Sequence, residues 1–137
     1  MDQSSLSFVL YRSDAAEGDP ARYLDAILAE AHAFNAAQGI TGALYTEAGY
    51  FFQWFEGATA ACDRLHAKLR RDPRHSNMTV LAEGPLPARL FERWSMARLH
   101  RGAESLFDYI SLNGRAGSEG TAVAVRDFLR ARAREMA

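Results

Sequence analysis

Residues 40–56 read ITGALYTEAGYFFQWFE. Ile40 to Thr46 reads as a strand, and Tyr50 to Glu56 is an aromatic-rich second strand. Glu47-Ala48-Gly49 between them reads as a hairpin loop. Along the second strand Tyr50, Phe52 and Trp54 point one way, and Phe51, Gln53 and Phe55 the other. A sheet built on such a strand is apolar on both faces, so both faces must be covered.

Upstream, Leu6 to Tyr11 is another short strand, with Leu6, Phe8 and Leu10 opposed to Val9 and Tyr11. After a polar loop, Asp19-Pro20 opens a helix: Asp caps free N–H groups and Pro suits the first helical position. Leu24, Ile27, Leu28, Ala31 and Phe34 recur at helical spacing until Gly39 stops the helix. Downstream, Thr59 is positioned to cap a second helix with Cys62, Leu65 and Leu69 on one face, ended by Asp72-Pro73. Met78 to Ala82 reads as a strand, Gly84 to Leu90 as a turn region, and Arg93 to Leu99 as a last strand.

The order β-α-β-β-α-β-β predicts an α+β, ferredoxin-like sandwich, with the two helices on one sheet face. Helices predicted at 105–110 and 121–136, around a glycine-containing loop at 113–120, can cover the second face. On this reading residues 1–100 are the core and 101–137 a helical tail of the same domain.

The 137 residues fit one domain, and a formal net charge of -1 argues against a broad cationic surface for nucleic acid or anionic lipid. One cysteine, Cys62, makes neither an internal disulfide nor a cysteine-based zinc site. The expected compartment is the cytoplasm, with no membrane span and no signal peptide.

A few polar residues sit where the pattern wants apolar ones. Asn35 lies on the apolar stripe of the first helix. It either caps the last turn or holds something, because an unbonded buried amide costs roughly 1–3 kcal/mol. Gln53 stands between Phe51 and Phe55 on the helix-covered face. It either bonds backbone or marks a site, and its amide offers a donor and an acceptor that rotation exchanges. Tyr11, on the first strand, needs a hydroxyl partner if buried. Trp94 and Met96 share a face of the last strand and, taken alone, read as core. Arg74 and His75 follow the Asp72-Pro73 turn, and Arg74 is a donor suited to carbonyl or phosphate oxygen. The four histidines lack metal-site spacing, so no metal is expected.

These residues resemble the BLUF family of flavin-binding blue-light sensors. The resemblance rests on VLYRS at 9–13, FNAAQGITGALY at 34–45, FFQWFEG at 51–57, DPRHSN at 72–77 and RWSM at 93–96. It implies a non-covalent flavin between the two helices, FAD by family habit with FMN possible. By the same resemblance Asn35 and Gln53 bond the ring's polar edge and Tyr11 bonds Gln53. Arg74 and His75 would meet the pyrimidine carbonyls, Ile27, Phe34 and Phe51 would pack around the ring, and Trp94 and Met96 would relay the signal. Many members carry Ser where this chain has Ala31 and a polar residue where it has Phe34, which bears on rates rather than on the reaction.

A switch without turnover follows from the resemblance. Tyr11 would give excited flavin an electron and a proton, and Gln53 would relay the proton and return rotated or tautomerised. An unnamed downstream protein would read the change, with a homo-oligomer possible and no direct nucleic-acid partner. Two other classes compete: an enzyme, either a flavin oxidoreductase or a hydrolase using His75 and Asp72, and a cofactor-free interaction module. No nicotinamide fingerprint and no nucleophile–base pair support the enzyme.

Overall fold

The computed structural model describes residues 5–15, 21–91, 97–99, 105–113 and 118–135. In chain order the elements are β1 (Leu6–Ala15), α1 (Ala21–Gln38), β2 (Thr41–Glu47), β3 (Tyr50–Ala58), α2 (Thr59–Arg70), β4 (His75–Leu86), β5 (Ala97–Leu99), α3 (Leu106–Asn113) and α4 (Ser118–Arg134). The strands form one sheet in the order β4-β1-β3-β2-β5. Antiparallel pairing joins the first four, and β5 adds parallel to β2. This is the ferredoxin-like α+β plan with one strand appended.

The aromatic strand β3 lies at the centre of the sheet and is buried along nearly its whole length. Its alternation divides the interior in two. Phe51 and Phe55 join Val9, Tyr11, Leu28, Leu44 and Leu65 beneath α1 and α2. Phe52 and Trp54 join Leu10, Tyr45, Leu106, Val125, Phe128 and Leu129 beneath α3 and α4. Each large side chain so buried contributes roughly 1.5–3 kcal/mol, which is why a doubly apolar sheet recruits helices to both faces.

Helix α1 stops as its sequence requires. Gly39 adopts φ +68°, and the Ile40 N–H donates to the Asn35 carbonyl at 2.8 Å, the closure of a Schellman motif. The start at Asp19-Pro20 lies outside the described residues.

Several boundaries differ from the sequence reading. Thr59 does not cap α2: the N-cap is Ala58, without a side-chain cap bond. The Thr59 hydroxyl pairs instead with Ser7 Oγ at 2.6 Å. The hairpin loop is shorter than expected, because Glu47 pairs with Tyr50 across a turn of Ala48 and Gly49. Strand β4 runs from His75 to Leu86 rather than 78–82, because β1 extends to Ala15 and pairs with it throughout, through two register shifts. Gly84 and Pro85 are therefore strand residues, tolerated on an edge strand whose outer side needs no partner. Helix α4 begins at Ser118, inside the expected loop.

Two buried carboxylates tie distant segments to the sheet. Glu56 is fully buried and accepts from Trp54 Nε1 at 2.8 Å, Thr41 Oγ1 at 2.9 Å and the N–H groups of Leu90 and Phe91 at 2.9 and 2.8 Å. Glu47 accepts from Tyr45 OH at 2.6 Å, the Leu106 N–H at 2.9 Å and Ser105 Oγ, so a strand residue caps α3. Burial alone would raise the Glu47 pKa. The hydrogen bonds from Ser105, Tyr45, Leu106 and Phe107 outweigh that and hold it below the usual carboxylate value.

Two outcomes follow for stability. Ala48 sits at φ 53° beside Gly49 at φ 83°, the geometry that favours Asn-Gly. Ala48→Asn should raise unfolding free energy by about 1 kcal/mol, as a higher urea midpoint at unchanged slope. Glu47, with its depressed folded pKa, contributes stability above the unfolded pKa of about 4.3 that is lost as pH falls through the folded pKa. Glu47→Gln should cost about 1–3 kcal/mol at pH 7 and show a smaller loss on acidification than the native chain. An equal acid-side loss in both would exclude this carboxylate as a source of the pH dependence.

Candidate functional site

On the helix-covered face, β1 and β3 are paired so that Tyr11 stands directly opposite Gln53. Both side chains are buried, at 3% and 5% exposure. The phenol donates a hydrogen bond to Gln53 Oε1. The amide's NH2 is therefore its donating end on the remaining side. Leu44 of β2 flanks Gln53 on the other side. From above, the last turn of α1 brings Asn35, fully buried, onto the wall of the same cavity.

Ile27, Phe34 and Phe51 line this cavity with Tyr11, Asn35, Gln53, Arg74 and His75. Eight residues singled out in the sequence thus meet in one cleft between α1, α2 and the sheet. Ala31 lines it too. Trp94 and Met96 lie outside the described residues.

The mouth carries charge. Arg74 grips Asp72 through Nε at 2.9 Å and Nη2 at 2.7 Å, and its Nη1 reaches Glu30 on α1. The bonds it donates to Asp72, against the opposing effect of burial and with the help of Glu30, hold the guanidinium firmly charged. Burial acts to raise the Asp72 pKa, but hydrogen bonds from Arg74 overcome it and keep the carboxyl below its ordinary value. Lys68 lies over the Phe34 ring, 4.4 Å from its centroid.

His75 opens β4, and both its ring nitrogens turn to protein: Nδ1 to Ser13 Oγ at 2.7 Å and Nε2 to the Leu69 carbonyl at 2.6 Å. A carbonyl only accepts, so Nε2 carries a proton. These two bonds brace the His75 ring, whose centroid lies 5.9 Å from that of Tyr11 and 6.5 Å from that of Phe51.

Sequence reading passed over Glu30, Lys68 and Ser13. Glu30 and Lys68 flank the apolar stripes of α1 and α2, three residues after Ile27 and Leu65. Ser13 is two residues beyond Tyr11 on the same face of β1 and fully buried. Those spacings were the available signal.

The enclosed space is about 50 Å³, room for a few water molecules. Its chemistry is more specific than its size. Two buried amides and a guanidinium, set among aliphatic and aromatic walls, suit a flat group with apolar faces and a polar edge. Among the described residues no cluster of three His, Cys, Asp or Glu side chains could hold a metal ion. No helix there is long and apolar enough to cross a membrane.

Comparison with known proteins gives the family. Residues 6–97 match the model described as BLUF, sensors of blue-light using FAD. The chain belongs to the BLUF family. It is 34% identical over 100 residues to photoactivated adenylate cyclase subunit alpha of Euglena gracilis, covering 72% of this chain and 10% of that protein. The chain thus spans about a tenth of the length of that curated relative. Among solved structures, the dark state of the BLUF protein BlrB superimposes with TM-score 0.78 at 29% identity, covering 95% of this chain and 99% of that one. The photo-activated state of BlsA gives TM-score 0.78 at 27% identity, covering 93% and 94%. The BLUF family binds a flavin as its light-absorbing group.

Burial, and after it the charge of Asp72, pushes the Tyr11 phenol well above its ordinary pKa of 10. In 13Cζ-tyrosine spectra, Tyr11 should remain a phenol at a pH of about 11, where an unperturbed tyrosine is mostly ionised. Asp72→Asn should lower its pKa. Titration of Tyr11 at the ordinary tyrosine value of about 10 would contradict the buried Tyr11–Gln53 geometry.

Proposed function

We propose that this chain is a blue-light receptor that holds FAD non-covalently between α1 and α2 and changes state through Tyr11 and Gln53. The observation that carries the reading is the buried Tyr11-to-Gln53 hydrogen bond on the wall that also carries Asn35. Asn35 and Gln53 would hold the polar edge of the ring, with Ile27, Phe34 and Phe51 around it. Arg74 would meet the pyrimidine carbonyls after releasing Glu30, while His75 steadies the site through Ser13 and Leu69.

When bound, the photoexcited flavin supplies a strong one-electron oxidant. Tyr11 is the nearby phenol able to give an electron and its hydroxyl proton. Gln53 accepts that proton bond at Oε1 and so stands on the transfer route. Electron and proton both return to Tyr11, so nothing is consumed. The Gln53 amide returns turned, its NH2 and oxygen exchanged or its tautomer altered, and the new hydrogen-bond pattern is the stored signal. This is a sensor's cycle, without turnover.

Trp94 and Met96 would pass the change onward, because they directly precede β5, which pairs with β2 at Ala43 and Ala97. We read residues 1–100 as the flavin-binding core and 101–137 as the tail that delivers the signal to a protein partner.

The purified chain should be yellow and show a reversible red shift of its flavin bands under blue light. Mass spectrometry of the released cofactor separates FAD from FMN. Tyr11→Phe and Gln53→Leu should keep the flavin and lose the red shift, whereas Arg74→Ala should mainly weaken binding. A normal red shift in Tyr11→Phe would remove Tyr11 from the mechanism. A correctly folded, flavin-supplemented preparation that releases no flavin on denaturation would remove the site.

A further inference from the structure

On the sheet face opposite the Tyr11–Gln53 cleft, an open groove of about 600 Å³ lies between β4 and α4. Its floor is Phe8, Leu10 and Trp54, with the Phe8 and Trp54 rings stacked at 4.3 Å. Leu81 and Leu86 of β4 form one wall, and Ala122 and Val123 of α4 the other. Val123, 45% exposed, is the one exposed large hydrophobic side chain among the described residues. Among the described residues, α3 and α4 leave this part of the apolar face uncovered.

The charged side chains that line the groove among the described residues have one sign. Among the described residues its lining includes Arg126 and Arg130 and no carboxylate. Arg126 is paired with its neighbour Asp127 at 2.9 Å, but both are more than a third exposed, so that pair is weak and exchangeable. Residues 122, 123, 126 and 130 occupy one side of α4 over two turns, a rise of about 12 Å. That is the footprint of a helix packed alongside α4.

We propose that this groove binds an amphipathic helix of a partner protein, its apolar stripe over Phe8, Leu81 and Val123 and its acidic flank against Arg126 and Arg130. A second copy docking groove to groove about a two-fold axis would bring arginine toward arginine, which disfavours self-pairing. The floor also links the groove to the cleft. Leu10 and Trp54 are cross-strand partners, each one residue from Tyr11 and Gln53. Rearrangement of that pair therefore acts on the groove from beneath, and helix affinity differs between dark and light. This light dependence rests on the photoreceptor reading; the binding itself does not.

The test uses the full chain with its flavin and a fluorescein-labelled, stapled helical peptide. The probe has about 14 residues, with Leu at helical spacing and Glu on one flank. A second peptide replaces every Glu with Lys. Anisotropy should show the Glu peptide binding about tenfold more tightly than the Lys peptide, with Arg126→Glu/Arg130→Glu reversing the preference. Val123→Glu, at an exposed position, should abolish binding while leaving circular dichroism and flavin absorption unchanged. Illumination should change the Glu-peptide affinity by about fivefold or more, and Tyr11→Phe should remove that change but keep dark binding. Equal affinity for both peptides, or none for either at about 100 μM, overturns the proposal. So does a dimer in sedimentation that Val123→Glu dissolves, which would make a second copy the occupant. Charge-selective binding without light dependence, in a protein lacking a red shift, counts against the photoreceptor reading and leaves the helix site standing.

Discussion

The pairing of β1 with β3 is the constraint on which the molecule turns. One antiparallel register sets Tyr11 against Gln53 and, a residue away, Leu10 against Trp54. Because successive strand side chains face opposite ways, a single ladder supplies a polar pair to one interior and an apolar pair to the other. A slip of one residue would exchange the faces, removing the cleft's hydrogen bond and burying the amide among the rings beneath α4. Chemistry and packing are thus fixed by the same backbone bonds.

Around that ladder, polar groups are buried only where partners are supplied. Glu56 gathers side-chain donors and two backbone N–H groups, and Glu47 gathers donors from β2 and the start of α3. A carboxylate so satisfied is costly to disturb, since each lost partner leaves a charge in poor solvent. The two residues fasten the linker after β4 and the helix after β5 to opposite ends of the central hairpin. Segments far along the chain therefore feel the position of β2 and β3 directly.

Much of this was readable from residue order. Two-fold alternation in 50–56 announced a sheet covered on both sides, and the amide at Gln53 stood out because its neighbours on that face were aromatic. Asn35 was visible in the same way, on the helical stripe. What escaped was non-local. Nothing in local spacing tells that Glu47 meets Leu106, 59 positions later, or that His75 spends both nitrogens on Ser13 and Leu69. Strand β4 was underestimated because an edge strand exposes alternate residues and admits Gly84 and Pro85, which read as a turn. Thr59 looked like a cap because its residue type suits one, but its hydroxyl found Ser7 across space.

The ion pair between Arg74 and Glu30 closes the mouth of the cleft, yet Glu30 is 54% exposed and Arg74 23% exposed. Such a pair is worth about 0–1 kcal/mol and weakens with salt. It is an ionic latch light enough to be lifted by thermal motion. Chromophore loading should therefore be easier at moderate ionic strength than in dilute buffer. If, as proposed, a ring carbonyl takes over the guanidinium, α1 loses its tie to the turn before β4 and is held by apolar packing and by the hydrogen bonds from Arg64 of α2 to Gln38. On the proposed function, the same arginine would serve in turn as gatekeeper for an empty cleft and as clasp for a full one.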